Sequence, residues 1–168
     1  MKNLLLLLVF SAFATFSIAQ GAASANAHTP ENEGWMLYLE EAYAESKKTG
    51  KPIMANFTGS DWCGWCKKLT KSVFVHKEFQ DWADDNVVLL ELDYPRRKKL
   101  SSDLTEQNKG LQQAFRVSGF PTIWVFHLDK DDNGQFNIDP LGKTGYSKTV
   151  GEFTKGVDQM IAKKKKAE

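Results

Sequence analysis

The sequence predicts an α/β fold in which helices cover both faces of a central mixed sheet. Segments with apolar residues at helical spacing alternate with short apolar runs that have the length of strands. Strands joined through helices can pair in parallel, whereas the late Asp132-Asn133-Gly134 turn predicts an antiparallel hairpin. Parallel and antiparallel strands are therefore expected in one sheet.

The first half of the chain is predicted to form a helix, a strand, two further helices and a second strand. Residues 35–48 have apolar side chains at helical spacing, and a Thr-Gly pair ends this helix. The apolar segment 53–57 is suited to a buried strand. Helical stretches follow at 66–73 and 77–85, and the nearly continuous apolar run 87–92 is typical of a strand covered on both faces.

The second half is predicted to form a helix, a hairpin of two strands and a closing helix. A polar connection leads into a helix at about 101–116, and a turn then opens onto the strand 123–128. A last strand is expected at 139–146, where Pro140 limits it to a sheet edge or a late start. The closing helix is expected at about 150–165.

The N-terminal residues 1–19 are typical of a secretory signal peptide. Lys2 precedes the apolar run Leu4–Phe10, and small residues follow. Cleavage after Ala19 or after Ala27 fits this pattern, and we prefer Ala19. The alternative is an uncleaved anchor, but the run is shorter than the ~20 apolar residues that a spanning helix needs. We therefore expect export to the periplasm or secretion.

The rest of the chain is expected to be a leader, 20–34, followed by a single domain, 35–168. The leader is small and polar and is interrupted by Pro30, which indicates flexibility. The remaining length suits one hydrophobic core and not two. The formal net charge is +1, and loss of Lys2 brings it to about zero, so nothing indicates a nucleic acid as partner.

The chain has two cysteines, Cys63 and Cys66, and only two residues separate them. This pair closes too short a loop to constrain the unfolded chain much, so a purely structural disulfide explains it poorly. A tetrahedral zinc site wants four ligands, and the available histidines are His28, His76 and His127. A redox role is therefore favoured over a metal site, and no metal or other cofactor is predicted.

Thiol–disulfide exchange needs a thiolate to attack and a second thiol to resolve the mixed disulfide. At the start of a helix, Cys63 would lie where unpaired backbone N–H groups and the helix dipole favour negative charge. Its pKa should therefore fall, which makes it the expected nucleophile. Cys66 lies one turn further along and would be the less exposed, resolving thiol.

Two short motifs stand next to predicted strands. Trp-Cys-Gly-Trp-Cys-Lys at 62–67 follows one strand, and Gly-Phe-Pro-Thr at 119–122 precedes another. In these motifs the chain resembles the thioredoxin-like superfamily, in the form of an exported bacterial member, and the resemblance extends from about Trp35 to Ala162. It implies a thioredoxin fold and thiol–disulfide oxidoreductase activity.

The resemblance also implies roles for residues around the cysteines. Pro121 corresponds to the family's cis proline that faces the cysteine pair, and the backbone of Phe120 would pair with a substrate strand. Trp62 corresponds to the tryptophan beside the pair. Between the cysteines, Gly64 and Trp65 replace the Gly-Pro of thioredoxin, so the direction of the reaction cannot be carried over.

Asn56 marks a second departure from thioredoxin. It stands, with one extra residue in the turn, where thioredoxin has a buried aspartate that helps to deprotonate the resolving cysteine, and an asparagine cannot act as a base. We hypothesise that Glu91, on the neighbouring strand, acts as proton relay with a pKa raised by burial. The favoured alternative is a Glu91 carboxyl that reaches solvent at a strand end.

The predicted function is reduction of protein disulfides in an exported compartment. Oxidation or isomerisation of client disulfides is the enzymatic alternative, and a chaperone-like module that binds clients with little turnover is the non-enzymatic one. Retention of both cysteines argues against the binding module. The expected partners are proteins with disulfides or thiols, which dock on Trp62 and Trp65, and a membrane dithiol electron donor. The protein is expected to be a monomer.

Overall fold

The computed structural model describes residues 28–165, so the predicted signal peptide and both cleavage points lie outside the described residues. Within this range the chain forms a four-stranded sheet with helices on both faces. The helices are α1 (Leu39–Thr49), α2 (Gly64–Leu69), α3 (Lys77–Asn86), α4 (Ser102–Ala114) and α5 (Val150–Lys165), and the strands are β1 (Ile53–Thr58), β2 (Val88–Asp93), β3 (Thr122–Lys130) and β4 (Phe136–Thr144). A π-helical turn, Thr70–Phe74, continues α2.

The strands lie in the order β2-β1-β3-β4. β1 pairs in parallel with β2 and antiparallel with β3, and β3 pairs antiparallel with β4. The predicted mixed sheet is therefore confirmed, because the helical crossover leaves β1 and β2 parallel and the hairpin turns β4 back on β3.

β1 is buried along its whole length and divides the core into two layers. Ile53, Ala55 and Phe57 face one hydrophobic cluster, which includes residues of α1 and α4. Met54 faces the other cluster, which includes residues of α2, the π-helical turn, α3 and α5. Because side chains alternate across a strand, one central strand serves both layers and holds its C-terminal end rigidly in the sheet.

The first helix begins later than the sequence predicts. Residues 35–38 are not helical, because Met36 pairs with β2: its N–H donates to the carbonyl of Leu89 at 2.9 Å, and its carbonyl accepts from the N–H of Glu91 at 2.8 Å. Trp35 packs in the core against Phe74, with ring centroids 5.0 Å apart. The predicted helix over 35–38 is therefore wrong, since a long-range backbone pairing replaces the local helical preference.

The last strand starts three residues before its predicted beginning and lies at the sheet edge, as Pro140 indicates. The register shifts beside this proline, with Phe126 opposite Pro140 and Val125 opposite Gly142. Such a bulge accommodates a residue that lacks the N–H for the ladder. Within residues 28–165, no helix is long and apolar enough to cross a lipid bilayer.

Candidate functional site

Cys63 and Cys66 lie at the C-terminal end of β1, where the chain turns into α2. They form a disulfide with an S–S distance of 2.08 Å and a Cα–Cα distance of 5.3 Å. Cys63 is the N-cap residue of α2, and its Sγ accepts a hydrogen bond from the backbone N–H of Cys66 at 3.2 Å. The structure thus places the first sulfur ahead of the helix and the second one turn behind it, as the sequence predicts.

Both cysteines are buried in the disulfide form, with 5% of Cys63 and 4% of Cys66 exposed. The expected difference in exposure between them is therefore nearly absent in this state. Between them, Trp65 leaves 55% of its surface exposed, and its ring meets that of Tyr146 edge to face at 5.1 Å. An aromatic surface thus lies beside the disulfide on the solvent side.

Trp62, which directly precedes Cys63, packs on the 120–121 segment. The peptide bond between Phe120 and Pro121 is cis, as the resemblance implies. The Trp62 ring meets the Phe120 ring edge to face at 5.7 Å, and its Nε1–H donates to the carbonyl of Tyr94 at 2.8 Å. A Cβ on Gly59 would lie 2.5 Å from the Trp62 ring, so only glycine fits at that position. These contacts fix Trp62 next to the cysteine pair.

Behind the disulfide, Cys66 lines a cavity of about 220 Å³ together with Asn56 and Glu91. Asn56 and Glu91 are paired neighbours on β1 and β2, which explains why they meet at the same cavity. The Oδ1 atom of Asn56 is buried and has no hydrogen-bond partner among the described residues. The cavity is therefore lined by polar groups from two strands and from α2.

Glu91 is the most deeply buried acid of this cavity, with 1% of its surface exposed. The favoured prediction, that the Glu91 carboxyl reaches solvent at a strand end, is therefore wrong. Burial raises the pKa of Glu91 to about 7, although the backbone N–H of Glu31 donates to both carboxyl oxygens at 3.2 and 3.1 Å. At neutral pH this carboxyl is thus divided between its protonated and ionised forms.

Contacts with residues 28–32 were missed by the sequence analysis. The segment lies over the cavity: Glu31 pairs with Lys98 at 2.6 Å, and the Nε2 atom of His28 lies 3.8 Å from the Oδ2 atom of Asp93. Asp93 is itself buried and accepts hydrogen bonds from the N–H and the hydroxyl of Ser60 at 2.8 and 2.6 Å. The polar composition of this segment carries no signal for these long-range contacts.

Among the described residues, no group of three or more His, Cys, Asp and Glu side chains is arranged to hold a metal ion. His76 interacts through Nε2 with the backbone carbonyl of Lys71 at 3.0 Å.

A sequence profile of the thioredoxin-like family matches residues 34–127, and the chain belongs to this family. The chain is 30% identical over 119 residues to the disulfide bond reductase DsbH of Chlamydia pneumoniae, an alignment that covers 71% of each protein. It is 34% identical over 85 residues to the thiol:disulfide interchange protein DsbD of Vibrio cholerae, which covers 51% of this chain and 13% of that much longer protein.

Solved structures agree with this assignment. A structure of a DsbH oxidoreductase matches with a TM-score of 0.65 and 27% identity, and the match covers 86% of this chain and 92% of that one. The thioredoxin fold, the CxxC disulfide and these relatives support a thioredoxin-like thiol–disulfide oxidoreductase.

Proposed function

We propose that the protein reduces disulfides of client proteins in an exported compartment, with Cys63 as nucleophile and Cys66 as resolving thiol. The observation that carries the proposal is the Cys63–Cys66 disulfide at the start of α2, beside an exposed aromatic surface. The relative named a disulfide bond reductase, which aligns over 71% of its own length, supports reduction as the direction. The signal-like N-terminus supports export.

The reaction begins with the reduced pair. The Cys63 thiolate attacks one sulfur of a client disulfide, the client S–S bond breaks, and the second client sulfur leaves and takes a proton. Cys66, once deprotonated, attacks the Cys63 sulfur, and the first client sulfur leaves as a thiol after protonation. The client gains two electrons and two protons, and the Cys63–Cys66 disulfide is formed.

The first step requires that Cys63 ionise readily. The N–H of Cys66 that meets its sulfur at 3.2 Å would stabilise the thiolate, and so would the position ahead of the first helical turn. A client segment would rest on the surface formed by Trp62, Gly64, Trp65, Phe120 and Pro121. The backbone of Phe120 would pair with an extended client segment.

The second step requires a base behind Cys66. We assign this role to Glu91, because it lines the same cavity as Cys66 and has a pKa near neutrality. The cavity volume of about 220 Å³ is well above the roughly 15 Å³ that one water requires, so water can carry the proton between the two groups. Asn56, which cannot ionise, then contributes a hydrogen-bonding group only.

The oxidised pair must be reduced again after each turnover. A dithiol donor supplies two electrons and two protons by the same exchange chemistry. The similarity to a thiol:disulfide interchange protein supports a membrane-bound dithiol as this donor. The protein would act as a monomer and would need no metal or other cofactor.

A Cys66→Ala variant tests the proposal against simple client binding, and the wild-type protein tests it against oxidation of client thiols. After reaction with a disulfide-containing client, it should accumulate a mixed disulfide through Cys63, because the resolving thiol is missing. The matched Cys63→Ala variant should accumulate none. A Cys66→Ala protein that binds clients only noncovalently would indicate a binding module. Net oxidation of client thiols by the wild-type protein would reverse the assigned direction.

A further inference from the structure

Exposed basic side chains lie on two segments next to the site: α2, and the loop after β2, whose Tyr94 carbonyl binds Trp62. We call this set the basic rim, and it consists of Lys68, Arg96, Arg97 and Lys99. We infer that the basic rim recognises acidic segments of the client proteins. This inference rests on the proposed function and adds the chemical class of its substrates.

Two cations of the basic rim lie directly on the tryptophans beside the cysteines. The guanidinium of Arg96 lies 3.9 Å from the centre of the Trp62 ring, and the Nζ atom of Lys68 lies 4.2 Å from that of Trp65. Such cation–π contacts hold the charges next to the aromatic surface. A client segment that packs on either tryptophan would therefore contact a positive charge.

The loop after β2 is held in place by Asp61. Its carboxylate accepts hydrogen bonds from the backbone N–H groups of Arg96, Arg97 and Lys98, at distances between 2.6 and 3.2 Å. These bonds, with that of Arg96 foremost, keep the pKa of Asp61 below its usual value. The acid is thus bonded to the backbone of this loop, and the side chains of Arg96 and Arg97 remain exposed.

The opposite end of the sheet has a different charge arrangement. There the lysines pair with acids: Lys47 lies 3.3 Å from Asp129, and Lys130 lies 2.9 Å from Glu40. Among the described residues, no member of the basic rim forms an ion pair within 4.0 Å. Even with the Asp61 carboxylate counted, the basic rim leaves an excess of positive charge beside the disulfide, which would steer acidic partners to the cysteines.

A protein client fits this surface better than an anionic membrane does. Lys68 and Arg96 of the basic rim lie on the two tryptophans next to the cysteine pair, so a membrane bound there would cover the reacting sulfurs. An acidic segment next to a client cysteine would instead place its disulfide at Cys63 while its charges meet the rim. We therefore assign the rim to acidic protein segments.

The test uses three disulfide-bonded cyclic peptides of equal length, whose cysteines are flanked by Asp, Ser or Lys residues. In single-turnover reactions, the pre-reduced protein should reduce the Asp peptide with a second-order rate constant about 10-fold larger than that for the Lys peptide at low salt. In about 1 M NaCl, where charges are screened beyond about 3 Å, the difference should shrink to about 2-fold or less. Equal rates for the Asp and Lys peptides at low salt would overturn the inference.

The uncharged Ser peptide separates this inference from the proposed function. If it is reduced while the Asp and Lys peptides do not differ, disulfide reduction stands and the acidic preference is wrong. If no peptide is reduced, the proposed function fails and the inference fails with it. Retention on vesicles of anionic lipid, together with equal peptide rates, would assign the rim to a membrane instead.

Charge-reversal variants test which residues cause the preference for the Asp peptide. Arg97→Glu combined with Lys99→Glu should invert the Asp-to-Lys rate ratio, measured relative to the Ser peptide of the same variant. Lys47→Glu combined with Lys48→Glu makes the same change in net charge at the far end and should keep the wild-type ratio. A loss of preference in both double variants would show that net charge alone, and not the rim, determines the ratio.

Discussion

The surface in front of the disulfide and the cavity behind it differ in almost every physical property. The front is open, aromatic and basic, with Trp65 half exposed and Arg96 stacked on Trp62. The back is a partly open cavity with a mixed polar and apolar lining, and its acid, Glu91, has 1% of its surface exposed. A partner needs an accessible surface, whereas a carboxyl with a pKa near neutrality needs burial. The two cysteines lie between these regions, so one short motif is next to both the accessible surface and the buried carboxyl.

The largest expected effect concerns the cavity behind the disulfide, where the Glu91 carboxyl should make the free energy of unfolding depend on pH. The pKa of Glu91 is about 7 in the folded protein against an ordinary 4.5, so the folded state retains a proton that the unfolded state loses. This contribution lowers the free energy of unfolding as pH rises from about 4.5 to about 7, by a total of about 3 kcal/mol. Glu91→Gln should remove it, which denaturant unfolding at several pH values measures.

The wild-type protein and the Glu91→Gln variant should have similar free energies of unfolding near pH 4.5. Above that pH they should diverge, with Glu91→Gln the more stable by up to about 3 kcal/mol at pH 8. The exposed Glu106→Gln variant is the matched control and should follow the wild-type curve. A wild-type stability that does not fall relative to Glu91→Gln over this range would show that the carboxyl is not held in a buried, charge-disfavouring site.

The second effect concerns the rate at which Cys66 resolves the mixed disulfide. Without a base behind Cys66, Glu91→Gln should slow release of the client by about 100-fold at neutral pH, the low end of what a positioned base contributes. Single-turnover release of a labelled peptide from the Cys63 mixed disulfide measures this step. The wild-type rate should rise through a pKa near 7, and that inflection should be absent in the variant. An unchanged pH profile would exclude Glu91 as the relay.

The smallest effect concerns the front. Gly59→Ala would place a Cβ 2.5 Å from the Trp62 ring, so the ring must move away from Phe120. We expect a loss of about 2 kcal/mol in the free energy of unfolding, as is typical of overpacking, and a weaker preference for acidic peptides. Gly110→Ala, in α4 with open space around it, is the control and should stabilise the helix by about 1 kcal/mol. Equal stability of the two variants would show that Trp62 is not confined by Gly59.

The front of the site was largely predictable from the sequence, because its signals are local. Two cysteines three positions apart after a strand were enough to indicate the redox pair, and the 119–122 motif indicated the cis bond before Pro121 through the resemblance to the thioredoxin-like superfamily. The mixed sheet also followed from the order of helices and strands. Each of these features depends on neighbours in sequence or on a short motif.

The back was less predictable, because it is built from long-range contacts. Glu91 lies in an apolar run, and the packing of residues 28–36 over β2 helps to bury its carboxyl, which the sequence places equally well at a solvent-facing strand end. The same packing replaced the predicted helix at Trp35 with the bridge at Met36. A polar segment of ordinary composition carries no local signal for such pairing, so the cover of the cavity could not be derived from the sequence.

The most direct test of the reductase assignment is the equilibrium reduction potential of the Cys63–Cys66 couple, measured in buffers of defined thiol–disulfide ratio. A protein that donates electrons to client disulfides should have a reduction potential similar to that of thioredoxin, about −270 mV. A reduction potential similar to that of DsbA, about −120 mV, would make the pair an oxidant and contradict the assigned direction.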